Sequence, residues 1–361
     1  MRPFKSDMFV SKILRSASLR IFAALCFCAG IAGAQPPSQT PVVHGEIKRW
    51  FDFEGLTAAT RYRYVETHSG QSTSAQQYQV IARGRFKFDS KGKYSVVGIL
   101  ATGNNILGGW NLTGWGTGNG QASFYMKQLY VEAKPIKQIE VQFGGIAPHN
   151  GENTEITGYD NDAYLMGERV KIHYSKKLYF DEISFTNGFI GDITQPNVFP
   201  RFKRLSNSNY RQFFVHKTIS KRASFSADYT FASETHMLRQ AVKLNIPELH
   251  FVDSFRFENY ERLDPDAGYG FGLTGEKKVT KKLNFVGGIT KISHTLLNAD
   301  RFPRGTRLFF HAAYKITPEL SVGPVIIQAI GQLDSPALPR TRFEFIASYN
   351  FLDALHHYRI F

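Results

Sequence analysis

Cysteine is nearly missing from this chain of 361 residues: Cys26 and Cys28 are the only two, and both lie in an N-terminal apolar stretch. Once that stretch is removed, no disulfide and no thiolate metal site can form. Nowhere after it is there a run of about 18 consecutive apolar residues, so no later segment can cross a bilayer as a helix. Catalytic signatures are missing as well. There is no G-x-S-x-G and no H-E-x-x-H, and the 11 histidines are scattered. Gly270-Phe271-Gly272-Leu273-Thr274-Gly275 spells the dinucleotide fingerprint, but it sits in an alternating run that leads into a turn. No helix follows to receive a pyrophosphate, so it reads as strand glycines. No cofactor is expected, and the chain does not read as an enzyme.

The apolar stretch itself reads as an export leader. Lys12, Arg15 and Arg20 precede residues 21–31, and Ala32-Gly33-Ala34 supplies a small-residue cleavage pattern before Gln35. Cleavage there takes away five basic residues and one acid, so the formal charge falls from +14 to +10, with 39 basic and 29 acidic residues left. A basic exported chain argues against nucleic acid as a partner and toward an anionic solute, lipid or envelope polymer.

What the chain has in abundance is period-two alternation. In residues 122–146, Leu129, Val131 and Ala133 share one face and Gln128, Tyr130 and Glu132 the other. After Lys134-Pro135-Ile136-Lys137, the apolar Ile139, Val141 and Phe143 alternate with Glu140 and Gln142. Such alternation marks strands with one apolar and one polar face, and a lone hairpin cannot bury that apolar face. Similar runs recur from Ile47 onward, with 31 Phe and 17 Tyr concentrated in them. Two runs, 178–186 and 210–219, are mixed and do not declare a face.

Connections fall into two alternating classes. Short turns occur at 90–93, 134–137, 175–177, 220–222, 247–249, 280–282 and 317–319, and long polar links at 103–121, 146–164, 188–209, 293–306 and 331–341. Seven turns with a strand at each end, plus one strand at each terminus, make sixteen. Short turns on one rim and long loops on the other are the layout of an outer-membrane barrel. The expected fold is therefore all-β: a transmembrane antiparallel β-barrel of about 16 strands, with short periplasmic turns and long extracellular loops. A soluble all-β protein outside the inner membrane is the alternative. The domain reading is a leader at 1–34, a lead at 35–46 and a barrel over 47–352. Residues 353–361 are a tail or the end of the last strand. Sixteen strands leave an aqueous lumen, and no N-terminal block is large enough to plug it.

On the strand-turn rhythm, on LYVEAKP…IEVQFGG followed by a long loop, and on YDNDAYLMGERVKIHY re-entering the wall, the chain resembles the general porins of Gram-negative outer membranes. Its similarity to the larger alginate-export and phosphate-porin barrels is looser. The resemblance implies passive passage of small hydrophilic solutes in contact with outer-membrane lipid. A homotrimer is one assembly it allows. It also implies that the loop after the fifth strand, 146–164 with Glu152, Glu155, Asp160 and Asp162, folds into the lumen and narrows it. One departure concerns the end of the chain: a clean alternation closes at Phe351 and not at Phe361.

In such a barrel the polar face turns inward. Arg61, Arg63, Arg83, Arg85, Lys87, Arg169, Lys171, Arg239, Arg256 and Arg307 then line the lumen and favour anions. The competing reading pairs them with Glu132, Glu258, Glu276 and Glu344 as ordinary wall charges. Gln128, Tyr130, Glu132, Glu140 and Gln142 are expected to face lumen water. Asp160-Asn161-Asp162 with Glu155 could hold calcium, though the spacing fits a solvated acidic loop better. Trp110 and Trp115 in a Gly-rich loop suit either a sugar contact or packing on the rim. Two other functions stay open: a closed barrel that binds saccharide or a partner, and a barrel-embedded hydrolase.

Overall fold

The computed structural model describes residues 50–357 apart from 111, 116–123, 160–162, 175–178, 265–266, 294–300 and the side chains of 115 and 356. The leader and its cleavage site, the lead, Asp160, Asp162, the 175–177 turn and Phe361 therefore lie outside the described residues. Among those described, sixteen long strands form one antiparallel sheet. They are β1 (Phe51–Thr67), β2 (Ser72–Lys87), β3 (Tyr94–Thr102), β5 (Phe124–Ile136), β6 (Ile139–Ile146), β7 (Leu165–His173), β8 (Glu182–Phe189) and β9 (Tyr210–Ser220). The second half comprises β10 (Ala223–Ala232), β11 (Thr235–Asn245), β12 (Ser254–Arg262), β13 (Gly268–Lys278), β14 (Leu283–Ile292), β15 (Gly305–Lys315), β16 (Leu320–Ile330) and β17 (Pro339–Asn350). A two-residue strap, β4 (Gly114–Trp115), pairs with the upper part of β2, beyond the reach of the shorter β3.

Each long strand pairs with its neighbours in sequence, and β17 pairs back onto β1, with Thr57 opposite Asn350 and Tyr64 opposite Phe343. The sheet is thus closed and has no bare edge. Closure is what lets strands lie in hydrocarbon, because every backbone N–H and C=O must find a partner inside the protein. The molecule is a transmembrane antiparallel β-barrel. The hairpin at 122–146 is its fourth and fifth wall strands, β5 and β6. The described strand ends put connections 88–93, 137–138, 174–181, 221–222, 246–253, 279–282 and 316–319 on one rim. The other rim carries 103–123, 147–164, 190–209, 293–304 and 331–338, along with the tighter links 68–71, 233–234 and 263–267.

The outward face is apolar and exposed. Tyr62, Phe185, Phe213, Tyr229, Phe257, Leu273, Leu308, Phe310, Ile326 and Phe345 all project from the wall, as a lipid-facing band requires. The inward face carries the charges. Strand β17 ends at Asn350, and Phe351 opens a helix, α2 (Phe351–His357), which packs against β1. A one-turn helix, α1 (Val198–Arg201), sits in the 190–209 loop with Asn197 as its N-cap.

Candidate functional site

The loop 147–164 leaves the wall after Ile146, the last residue of β6 paired with β7; inside that strand Gly144, at φ +130°, runs so close to β5 that a side chain would strike the Leu129 carbonyl. The loop then crosses the inner faces of β8 to β13. His149 Nε2 meets Glu182 at 2.7 Å, its ring lies 4.1 Å from that of Phe214, and Gln212 donates to its carbonyl. At Gly151, φ is +60°, and a Cβ would stand 2.5 Å from the Phe214 ring and 2.7 Å from Ser226. Only glycine fits this closest approach. Glu152 then takes Ser224 Oγ at 2.6 Å, while its own N–H donates to Ser226. The tip is held by Glu258 on β12, which accepts from the N–H and hydroxyl of Thr154 and the hydroxyl of Thr157.

A second loop folds in beside it. Ile106 N–H donates to Ile193, Tyr164 N–H donates to Ile106, and Lys127 Nζ reaches the carbonyls of Asn105 and Gly108. Ile106, Ile146, Ile156, Tyr164 and Val198 thereby join inward-facing Val97, Tyr130, Ile292 and Ile327 in one buried apolar cluster. The half of the lumen toward the long loops holds a small core of its own.

The predicted basic residues all lie on the inward face, but they differ in depth. Arg61, Arg169, Arg239 and Arg307 are between 0 and 3% exposed, so they are sealed rather than bathed in solvent. Arg61 donates to Gln77, pairs with Glu344 at 3.1 Å and stacks 4.3 Å from the Trp110 ring. Trp110 is therefore packed within the barrel, away from the rim. The Trp115 side chain lies outside the described residues. Arg169 donates to Thr186, Gln142 and the Ala147 carbonyl. Arg239 pairs with Asp228 at 3.0 Å, and Arg307 donates to the carbonyls of Pro303, Arg304 and Pro339.

The remaining six are half-open to the lumen. Arg63 meets Glu344 at 3.0 Å, Arg85 meets Glu132 at 2.6 Å, and Arg83 and Arg85 share Glu54. Lys87 pairs with Asp52, Lys171 with Glu140, and Arg256 with Glu152 at 3.7 Å. Arg83 is the most open of the ten, at 41%. Glu155 binds Arg301, which also reaches Glu344 at 3.5 Å. Glu344 thus stands among Arg61, Arg63, Arg301 and Arg342. Glu132, Glu140, Gln128 and Gln142 face inward as expected, but they are buried in this network instead of facing water.

Asp52, Glu54, Arg301 and Arg342 were not among the predicted site residues, and Trp110, read as a sugar contact or rim packing, stacks on Arg61 instead. Asp52 and Glu54 alternate with Phe51 and Phe53, so the rule that found Arg83 and Arg85 would also have found them. The His216 ring 3.6 Å away, with Ser224 and Arg256, holds the Glu152 carboxyl down at about 2. Burial pushes His149 below the usual imidazole range, against the pull of Glu182. Among the described residues no cluster of three or more His, Cys, Asp or Glu is arranged for a metal ion.

No protein-family model and no curated protein sequence matches the chain. Solved structures do. Pseudomonas putida OprB at high pH superposes with a TM-score of 0.56 at 11% identity, over 84% of this chain and 94% of that one. The low-pH form of OprB gives 0.54 at 10% identity with the same coverage. A variant of the Rhodopseudomonas blastica porin gives 0.50 at 10%, over 83% of this chain and 100% of that one. The fold is that of an outer-membrane porin barrel. At such identities the likeness lies in the strand path and not in the side chains, so the porin-like barrel's own inner residues must carry any functional argument.

Proposed function

We propose that the protein is an outer-membrane channel through which small hydrophilic solutes diffuse passively, with a weak preference for anions. The observation that carries this reading is a closed barrel with a lipid-facing apolar exterior, a charged inner face and a loop docked across the lumen. Anion preference follows from local excess charge: Arg61, Arg63, Arg301 and Arg342 surround Glu344, and Glu155 offsets Arg301 alone. Positive groups in a confined, low-dielectric passage raise the local anion concentration. Export through a leader cleaved after Ala34 belongs to this reading, as does contact with outer-membrane lipid. A homotrimer would bury the flat outer wall of Ala58, Val80, Ala82 and Gly98.

Planar-bilayer recording tests the proposal. Discrete conductance steps with a reversal potential displaced toward the anion value support it. A silent bilayer from folded, heat-modifiable protein overturns it. The apolar cluster shared by the two inner loops favours one second reading, a barrel closed at the long-loop side that binds a saccharide or a partner there. Silence together with saccharide-dependent quenching of tryptophan would support that reading.

A further inference from the structure

The short-turn rim repeats a two-residue pattern that the channel reading does not use. Phe88 stands with Lys91, Ile136 with Lys137 and Ile219 with Lys221, and Val279 and Ile316 mark the same level where β13 and β15 end on the inward-turned Lys278 and Lys315. All five apolar side chains are exposed, from 44 to 64%. Strand alternation puts them on the outward face: Phe88 continues Phe86, Ile136 pairs with Ile139, and Val279 continues Leu273. Exposed Phe51, Tyr314 and Phe351 lie at the same level, where an aromatic belt marks the edge of the hydrocarbon.

The acids of this rim are committed elsewhere. Asp89 accepts from the N–H groups of Lys91 and Tyr94. Asp181 holds Lys217 and the Thr218 N–H, and Asp253 holds Lys277 and the Lys278 N–H. Each of these three carboxylates is used in building a turn, while Glu248 pairs with Arg222 and Glu319 meets His357. None of Lys91, Lys137 and Lys221 makes an ion pair among the described residues. Among the described residues of the long-loop rim, exposed Leu263 and Ile193 adjoin Asp264 and Asp192, with Arg262 beside Leu263 paired to Asp264, and Ile330 adjoins Gly331.

We propose that the short-turn rim is a binding collar for the phosphate groups of anionic phospholipids. The inference rests on the membrane placement given above. A lysine stem lies along apolar surface while its ammonium reaches the polar layer. Beside an outward apolar side chain at the hydrocarbon edge, that layer is the headgroup phosphate, where each basic residue adds to attraction for anionic lipid. A soluble polyanion or a permeating solute would need the charges but not the apolar neighbours, and so lipid is the occupant that accounts for both halves of the pattern.

The test uses the full chain refolded into phosphatidylcholine bilayers containing spin-labelled phosphatidylglycerol or spin-labelled phosphatidylcholine. The motionally restricted fraction should favour phosphatidylglycerol by about threefold or more. That preference should vanish near 1 M salt, where the screening length is about 3 Å. It should also vanish when Lys91→Gln, Lys137→Gln and Lys221→Gln are combined, with heat-modifiability retained. The salt and lipid comparison on the unaltered protein stands even if the combined variant fails to fold. Equal association of the two lipids overturns the proposal, and so does capture of dextran sulfate without lipid preference. Failure to enter bilayers of either composition overturns the membrane placement itself, a result separate from equal association.

Discussion

Glu258, on the wall strand β12, accepts both the backbone N–H and the hydroxyl of Thr154, at 2.7 and 2.6 Å, and so fixes the tip of the inner loop. The same carboxylate takes the Thr157 hydroxyl at 2.6 Å, which makes three bonds to a fully buried group. Hydrogen bonds to a charged acceptor contribute about 1.5–3 kcal/mol each, and their loss leaves the donors stranded. Glu258→Ala should therefore cost about 3 kcal/mol or more. In single-channel records it should convert steady steps into flickering ones as the loop detaches. Steady conductance at unchanged stability would show that the loop is held by other contacts.

Gly151 gives a steric counterpart to that chemical latch. At φ +60°, a valine would be strained in its backbone and would strike Phe214 and Ser226. Gly151→Val should move the loop off β9 and β10, and the expected readout is protease cleavage within 147–159 of folded barrels that resist cleavage in the parent.

The depth of each arginine predicts what its removal does. Arg83→Gln should shift the reversal potential toward cations with little effect on stability, because that side chain is the most open of the inner ten. Arg239→Gln should leave selectivity alone and lower stability by about 3–5 kcal/mol, since it strands the buried Asp228 charge. Reversal potential and urea midpoint, measured on both variants, check the pair; an interchange of the two effects would reject the assignment of depth.

Two loop groups set the acid limb. Burial lowers His149 below 6.5, so the unfolded chain binds more protons as pH falls under that value. The contribution of His149 is therefore full above about 6.5 and is lost as pH falls through its lowered value. Glu152, held near 2, contributes fully above its ordinary 4.5 and loses that contribution as pH falls to about 2. Thermal midpoints should decline in these two stages below neutrality, and His149→Gln should flatten the upper one.

With no cysteine beyond residue 28, the topology can be read by single labels. An impermeant maleimide should modify Gln332→Cys on the long-loop rim in intact cells. It should reach His250→Cys on the short-turn rim only after the outer membrane is breached. Labelling of both in intact cells would place the rims otherwise.

The wall was legible because hydrocarbon outside and charge inside impose period two on nearly every strand. Residues 210–219 were mixed for a reason the structure supplies: Phe214 points inward because His149 and Gly151 of the inner loop pack on it. Alternation tells which face a residue takes but not how deep it lies. Arg61 and Arg83 look alike in sequence, yet one is sealed between Glu344 and Trp110 while the other opens to the lumen. The difference comes from partners far off in the chain and from loops with no periodicity of their own.

Arg63 on β1 and Glu344 on β17 are 281 residues apart in sequence and bonded in space. The wall therefore stays an open ribbon until its final strand has been made. A chain halted before residue 339 would present β1 and β16 as two raw edges, each unsatisfied group costing several kcal/mol in lipid. Such a ribbon can neither stay in the bilayer nor remain safe from sticking to its own kind. Completing the circle and entering the membrane are for this chain a single late event, and a carrier must shield the unfinished strands until then.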